Sequence, residues 1–440
     1  VFSRLSLSAW KSAWGHEGGE FSERWLRLPS YIAGVLSIAV IAWLGWEFGL
    51  AWLGVTAAWL LALHPWHLRF AVEARGYSMM IFFIGVALLG LIRAQRDDTL
   101  RGWLLFAIGQ AGFLTSYAGS IYVAVAINVM AVLEMVIRRQ PRRLVSLIAF
   151  NLLAAVPVLF LMAPSIPQIL GFMANDSHVR LPMSADWMRD LGSHIAAGLL
   201  YSNPLNSEHV GTSWETMRHA QPLVYGPLGW FLGALAVLGL VTAFFESAAT
   251  RFAIVGVTLA GGLSFWHASV HHHPNLSWYY LYLLFPLCLS VGLAVMRLQV
   301  LPAVLSIVVV GLYGYATEKP REVFIEHDRQ QIRQTVEAVR TFRPDALTGV
   351  FGVSDRQARS YDPAVEVLET PEQLEALVRK AVAGNQSLFI YYCGDRETKV
   401  RNPQLYERLT QGGDFQMFKQ FKATEAMFTY YVYRFSGSGL

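Results

Sequence analysis

Cysteine is nearly absent from this 440-residue chain, which holds Cys288 inside an apolar run and Cys393 in a polar tail. A bridge between them would have to join two regions of opposite character, so two free thiols are expected. Charged residues are sparse as well, at 15%, and the net charge is only +4. They form no long basic stripe interleaved with aromatics, which argues against a nucleic-acid partner. No C-x-x-C or H-E-x-x-H accompanies the histidines, and the polar tail lacks G-x-G-x-x-G, a phosphate loop and a catalytic-triad pattern. The chain opens at Val1 without the charged, apolar, then small-residue pattern of a signal peptide. A span upstream of Val1 is therefore expected, to carry the first thirty residues across the membrane.

Apolar residues are abundant instead, at 54%, with a positive mean hydropathy. That is too greasy for an ordinary soluble protein of this size. Long uncharged runs dominate to about residue 316, and the rest has ordinary soluble composition. The hydrocarbon layer is about 30 Å thick, so one helical span needs roughly 17 to 25 mostly apolar residues. Ten spans are read, at residues 29–47, 49–64, 77–93, 102–117, 119–137, 144–163, 223–245, 251–267, 278–296 and 299–316. The second and fourth are short.

Lys and Arg beside span ends set orientation. "RRQPRR" (Arg138 to Arg143) is the densest basic cluster in a short loop and is placed in the cytoplasm. Alternation then puts outside the N-terminal residues, residues 64–76, a loop at 164–222, the "HASVHHHPNLSW" loop and everything after residue 316. Cytoplasmic loops are tiny and outer loops large, so chemistry is expected outside.

"LHPWHLRFAVEARGYSMM", residues 63–80, crowds two histidines, two arginines and a glutamate between two apolar runs. Residues 64–76 are expected to form an outer-surface turn with His64, His67, Arg69, Glu73 and Arg75 near headgroup depth. If residues 72–80 are helical, Glu73 and Tyr77 share a face one turn apart. An interfacial cap of lipid-binding arginines and belt aromatics would use the same residues. Ionisable groups clustered near membrane depth are costly, however, and tend to mark sites.

This region resembles a family. "SERWLRLPSYIAGVLSIAVIAWLGWEFG" followed by "LALHPWHLRFAVEARGYSMMIF" is similar to the second to fourth spans of GT-C-fold glycosyltransferases, which include protein O-mannosyltransferases, lipid A aminoarabinose transferases and bacterial lipopolysaccharide sugar transferases. Arg27, Leu28, Pro29 and Ser30 carry the first motif, and Pro65, His67, Glu73, Ala74, Arg75 and Tyr77 the second. The resemblance implies a polytopic α-helical membrane protein with a small C-terminal α/β extracytoplasmic domain. It implies transfer of a sugar from a polyprenyl-phosphate carrier to a lipid, glycan or protein acceptor, at the outer face of a bacterial inner membrane. Arg75 would then neutralise the carrier phosphate, since the guanidinium fork matches phosphate oxygens and stays charged. Glu73 and Tyr77 would orient Arg75 or contact the sugar, and His64, His67 and Arg69 complete the donor set. The resemblance assigns no cofactor with certainty, and a divalent metal is one reading of the histidines below.

The family's catalytic carboxylate, usually in an Asp-containing pair after the first span, has no counterpart in these 440 residues. The chain is expected to start downstream of it, with residues 1–28 as the end of the first outer loop. Glu17, Glu20 and Glu23 are carboxylates on the correct side. Yet "GHEGGE" reads as a flexible turn, and Glu23 with Arg27 as an i, i+4 ion pair. A transporter or lipid-carrier flippase is the rival reading, but it predicts paired interrupted spans that are not seen. A non-catalytic GT-C-like scaffold is a third.

His267, His271 and His273 offer imidazoles of the kind zinc or manganese accept, His271 and His273 sharing one side of an extended segment. Binding carrier phosphate or acceptor sugar and plain interfacial packing are the other readings. "SADWMRDLGSHIAAGLLY" within the outer loop reads as an amphipathic helix capped by Ser184 and lying on the membrane, in a loop long enough to act as a lid. Glu134 sits one turn before arginines and is taken as structural. From residue 317, "QQIRQTVEAVRTF" and "TPEQLEALVRKAVAGN" read as helices, the latter capped by Thr370. "ALTGVFGV", "AVEVLE", "SLFIYYC" and "MFTYYVYRF" read as strands, giving an α/β layer with some antiparallel pairing.

Overall fold

The computed structural model describes residues 23–167, 170–171, 184–201, 213–271, 276–298, 301–352 and 355–437. The chain divides into two compact units, one holding residues 1–202 and 213–321, the other residues 203–212 and 322–440.

The first unit is helical. Its elements are α1 (Glu23–Glu47), α2 (Ala51–Leu63), α3 (Pro65–Ala71), α4 (Tyr77–Asp97), α5 (Leu100–Ser116), α6 (Ile121–Ile137), α7 (Pro141–Met162), α8 (Ala185–Ala197), α9 (Trp214–Ala220), α10 (Pro222–Phe245), α11 (Val257–His271), α12 (Leu284–Arg297) and α13 (Pro302–Ala316). Among the described residues, seven helical segments are long and apolar enough to cross a membrane, and α2 and α13 are shorter apolar helices. The chain is a multi-pass membrane protein, and each of the ten runs read from the sequence is helical. α1 starts at Glu23 and runs through Pro29, six residues before the expected entry. The Glu23–Arg27 pair, at 2.9 Å, reinforces that added turn.

α4 is mostly buried while α7 is mostly exposed, so α4 is central and α7 peripheral. Lipid offers little hydrophobic drive between helices, so small residues and polar contacts must join them. Gly90 of α4 lies so near the Phe106 backbone of α5 that a Cβ would come within 2.2 Å of its nitrogen. Three carboxamides close a ring across α5, α6 and α7: Gln110 donates to Asn151 (2.5 Å), Asn151 to Asn128 (2.8 Å) and Asn128 to Gln110 (2.8 Å). Glu134 is structural as expected, bound by Arg138 (2.5 Å) and by both oxygens to Arg251 (2.9 and 3.0 Å).

The second unit is built on a five-stranded sheet of order β2-β1-β3-β5-β4. β1 (Leu347–Gly352) pairs parallel with β2 (Glu366–Val367) and β3 (Leu388–Cys393), and β5 (Tyr430–Phe435) runs antiparallel between β3 and β4 (Phe415–Phe421). β3 is buried on both faces because alternate residues enter different cores. Leu388, Ile390 and Tyr392 join one with Leu374, Leu377 and Leu405, while Phe389, Tyr391 and Cys393 join another with Ile332, Val336 and Val339. The Thr370 cap is present, with Gln373 completing a capping box, and Asn385 rather than Gly384 takes the left-handed closing position. The strand β4 and the helices Asp395–Arg401 and Pro403–Gln411 were not anticipated. β4 is a two-faced edge strand whose register breaks between Met417 and Lys419, which erases its alternation. Both cysteines are buried, and they are not joined to each other.

Candidate functional site

The expected outer-surface turn is in fact mostly a helix. His64 ends α2 and caps α3: its Nδ1 accepts from the Trp66 N–H (3.2 Å) while its Nε2 donates to the Ile195 carbonyl (2.9 Å). Pro65 takes the first helical position, where its missing N–H costs nothing. His64, His67 and Arg69 are 1%, 2% and 6% exposed, so the protein surrounds them. Two helices cover α3: α8, with the His194 ring stacked on Trp66 at 4.4 Å between centroids, and α1, with Ser37 against His67. α8 carries the expected Ser184 cap, whose hydroxyl oxygen accepts from the Trp187 N–H at 3.2 Å. Its Gly198 closes the helix in the left-handed region instead of continuing the apolar face.

The Ser37 hydroxyl donates to the Gly34 carbonyl (2.7 Å), so the 2.9 Å contact with His67 Nε2 has the imidazole as donor. Burial pushes the His67 ring down to about 4 from 6.5, so it is neutral at pH 7. This short helix lies between spans, and both of its histidines act as neutral hydrogen-bonding struts.

Residues 72–76 are not helical, and α4 begins at Tyr77. Glu73 therefore does not stack one turn below Tyr77. Its carboxylate lies between two guanidiniums, with Arg69 Nε at 3.3 Å from one oxygen and Arg75 Nε at 3.4 Å from the other. One carboxylate thus holds two guanidiniums. Arg75 is 39% exposed against 6% for Arg69, so Arg75 is the more accessible of the two guanidiniums. Gly76 permits the sharp return into α4, since a Cβ there would sit 1.8 Å from the Ser116 carbonyl oxygen. Ser30, from the first motif, donates to the Arg75 carbonyl at 2.8 Å and thereby joins the two motifs in space.

Tyr77 packs on Phe70 (4.8 Å between centroids) and Tyr117 (5.1 Å), and Tyr117 continues to Tyr279 (5.9 Å). An aromatic wall thus starts beside the arginine turn. Sequence reading did not single out Tyr117 or Tyr122; the available signal was a pair of tyrosines at the break between the fourth and fifth spans, in "SYAGSIY".

The histidine group is arranged differently from expectation. α11 runs to His271, so His267 and His271 lie one helical turn apart, their rings 4.6 Å between centroids, and not along an extended segment. Tyr122 Oη is 2.7 Å from His267 Nδ1. His273 falls outside the described residues, as do Glu17 and Glu20. Among the described residues, no three His, Cys, Asp or Glu side chains converge as a metal site would require.

No family model matches the sequence, and no curated protein is similar to it in sequence. The architecture has solved counterparts. ArnT from Cupriavidus metallidurans bound to undecaprenyl phosphate superposes with a TM-score of 0.54 at 12% identity, over 99% of this chain and 88% of that one. The same protein in its apo state gives 0.56 at 12% identity, over 98% and 87%. At that identity the likeness is one of fold: the chain has the GT-C fold.

Proposed function

We propose that this protein is a membrane glycosyltransferase that moves a sugar from a polyprenyl-phosphate carrier to a lipid, glycan or protein acceptor at the outer face of a bacterial inner membrane. The C-terminal unit is then periplasmic. The observation that carries the reading is the Arg69–Glu73–Arg75 turn, two guanidiniums held on one carboxylate with Arg75 the more exposed of the two. A fold shared with a protein that holds undecaprenyl phosphate supports the carrier class.

In such a transfer an acceptor oxygen or nitrogen bonds to the anomeric carbon while the carbon–oxygen bond to phosphate breaks, inverting the centre. The phosphate leaves with the electron pair. Arg75 meets the growing charge where preorganised cations lower a barrier most, and Glu73 holds it against free rotation. The acceptor's proton goes to a base, which the family resemblance assigns to a carboxylate of the first outer loop. Glu73, engaged by two guanidiniums, serves the turn.

The test is transfer from a panel of polyprenyl-phosphate sugars by the full-length protein in proteoliposomes, read by mass spectrometry of the acceptor. Arg75→Ala is expected to lower turnover about a hundredfold. Unchanged turnover would remove Arg75 from the mechanism, and mapping of Glu73 and Arg75 to the cytosolic face would overturn the orientation.

A further inference from the structure

The sheet unit carries a groove that sugar transfer at the arginine turn does not use. It runs between the helix Ile332–Phe342 and the edge strand β4, and its volume of about 720 Å³ falls in the range of small-molecule sites, roughly 300 to 1,000 Å³. The helix sinks Ile332, Val336 and Val339 into one of the two sheet cores. Another flank repeats Gln331, Gln334, Ala338 and Thr341 at three- and four-residue spacing, with Glu337 beside them, and these line the groove. One wall is therefore amide, carboxylate and hydroxyl.

The other wall is made by the fault in β4. Met417 pairs with Tyr433 and Lys419 with Val432, so Phe418 is an extra residue in the strand. Strict alternation would send Phe418 to the face opposite Lys419 and Phe421. The bulge re-aims it, and all three line the groove. Phe418 lies 5.0 Å from Phe342 between ring centroids. Arg343 and Arg434 flank the Phe342 ring at 5.8 and 5.7 Å yet leave that residue 46% exposed, whereas Lys419 sits closer over Phe421, at 4.9 Å. Phe342 and Phe418 thus form the platform, and the lining charges, Glu337 and Lys419, are of opposite sign.

We propose that this groove binds a neutral glycan, a pyranose laying its C–H face on Phe342 and Phe418 and turning its hydroxyls to Gln331, Gln334 and Glu337. The match is chemical. A sugar has an apolar face and a rim of hydroxyls that both donate and accept, and the groove pairs an aromatic wall with side-chain amides that do the same. Balanced charge selects against an ionic ligand. An added peptide strand is the competing occupant of a sheet edge, but the break in β4 interrupts the ladder such a strand would follow. Within the function proposed above the bound glycan is a stretch of the acceptor, and only that assignment rests on the transferase reading.

The experiment is saturation-transfer NMR on the full-length protein in lipid nanodiscs, which keep out maltoside detergents that would compete as sugars. The probes are maltotriose, mannotriose and chitotriose, and a Ser/Thr-rich peptide is run beside them. Saturation is expected to reach the ring C–H protons of at least one trisaccharide. Phe342→Ala is expected to weaken that binding about tenfold, and the surface pair Gln331→Ala with Glu337→Ala by a similar factor, as the loss of two modest hydrogen bonds would give. Should Phe342→Ala fail to fold, the surface pair decides by the same criterion. Absence of saturation in all three saccharides overturns the proposal, as does binding that the variants leave unchanged. Saturation of the peptide instead, lost in the same variants, gives the groove to a polypeptide and overturns it too. None of these readouts uses turnover, so failure here leaves the transferase reading standing, and normal turnover by Arg75→Ala leaves the glycan site standing.

Discussion

The Glu73 carboxylate stands 3.4 Å from the Arg75 guanidinium, and only one of that pair is well exposed: Arg75 at 39%, Glu73 at 16%. The glutamate thus works from behind, and it also holds Arg69 at 3.3 Å. At that exposure the pair itself contributes little stability, so its value is geometric.

Glu73→Gln keeps the shape and removes the restraint. Two effects then oppose each other: the turn gains attraction for an anionic carrier, while Arg75 loses its fixed direction. Orientation should dominate the chemical step and charge the binding step. Lower KM with kcat reduced about tenfold is expected. Steady-state kinetics on a lipid-linked donor check this, and an unchanged kcat would mean that Glu73 does not orient Arg75.

Arg75→Lys tests the fork. A lysine supplies the charge as a point but cannot hold two phosphate oxygens in a plane. Turnover is expected to fall about tenfold, between wild type and the alanine variant. Equality of Lys with wild type would show that charge alone suffices.

His67 sets a pH dependence. Its ring is held down to about 4 by burial, against 6.5 when unfolded. Above pH 6.5 neither state carries the proton and the neutral strut contributes fully. As pH falls from 6.5 toward 4 the unfolded chain takes up a proton that the folded chain refuses, so stability drops, by about 3 kcal/mol at the limit. Thermal unfolding in detergent between pH 7 and 4.5 should show this decline, and His67→Gln should flatten it. A slope unaffected by the substitution would assign the decline to other groups.

The carboxamide ring of Gln110, Asn128 and Asn151 predicts a stability cost that does not follow the number of bonds removed. Asn128→Leu opens the ring and leaves two amides half satisfied, costing about 1 kcal/mol within the membrane. Replacing all three with leucine removes the need for partners and should cost less than three single changes together. Unfolding from bicelles measures both, and strict additivity would contradict a closed network.

In the sheet unit, Asp362 is 4% exposed and accepts at both oxygens from Arg340 Nη2, at 2.7 Å each, and from the Thr348 hydroxyl at 2.8 Å. Asp362→Ala leaves a partly buried guanidinium without its anion and should destabilise this unit by about 3 kcal/mol. Hydrogen exchange in β1 and β3 of the full-length protein should accelerate accordingly. Protection equal to wild type would show that the pair is dispensable.

The apolar runs marked ten helical segments of the first unit because a helix that must satisfy its own backbone in lipid needs only length and hydropathy, both local properties. The same held for the strand β3, whose uninterrupted apolar run reports burial on two faces. β4 was missed because an edge strand with a bulge has no fixed period. The extended reading of His271 failed because its helix continues past the last apolar residue, and hydropathy does not mark where a helix ends.

The sequence by itself determined a membrane fold, the location of a charged cluster between two spans and the residue types in it. Tertiary structure alone decided which of those residues face outward. His64 is covered by α8, through Ile195, and His67 meets Ser37 of α1, while Arg75 is left half exposed. Ser30 meets Arg75 across 45 residues of chain, a pairing that no periodicity encodes. Burial and long-range contact depend on which helices pack together, and packing is settled by the whole set of faces at once.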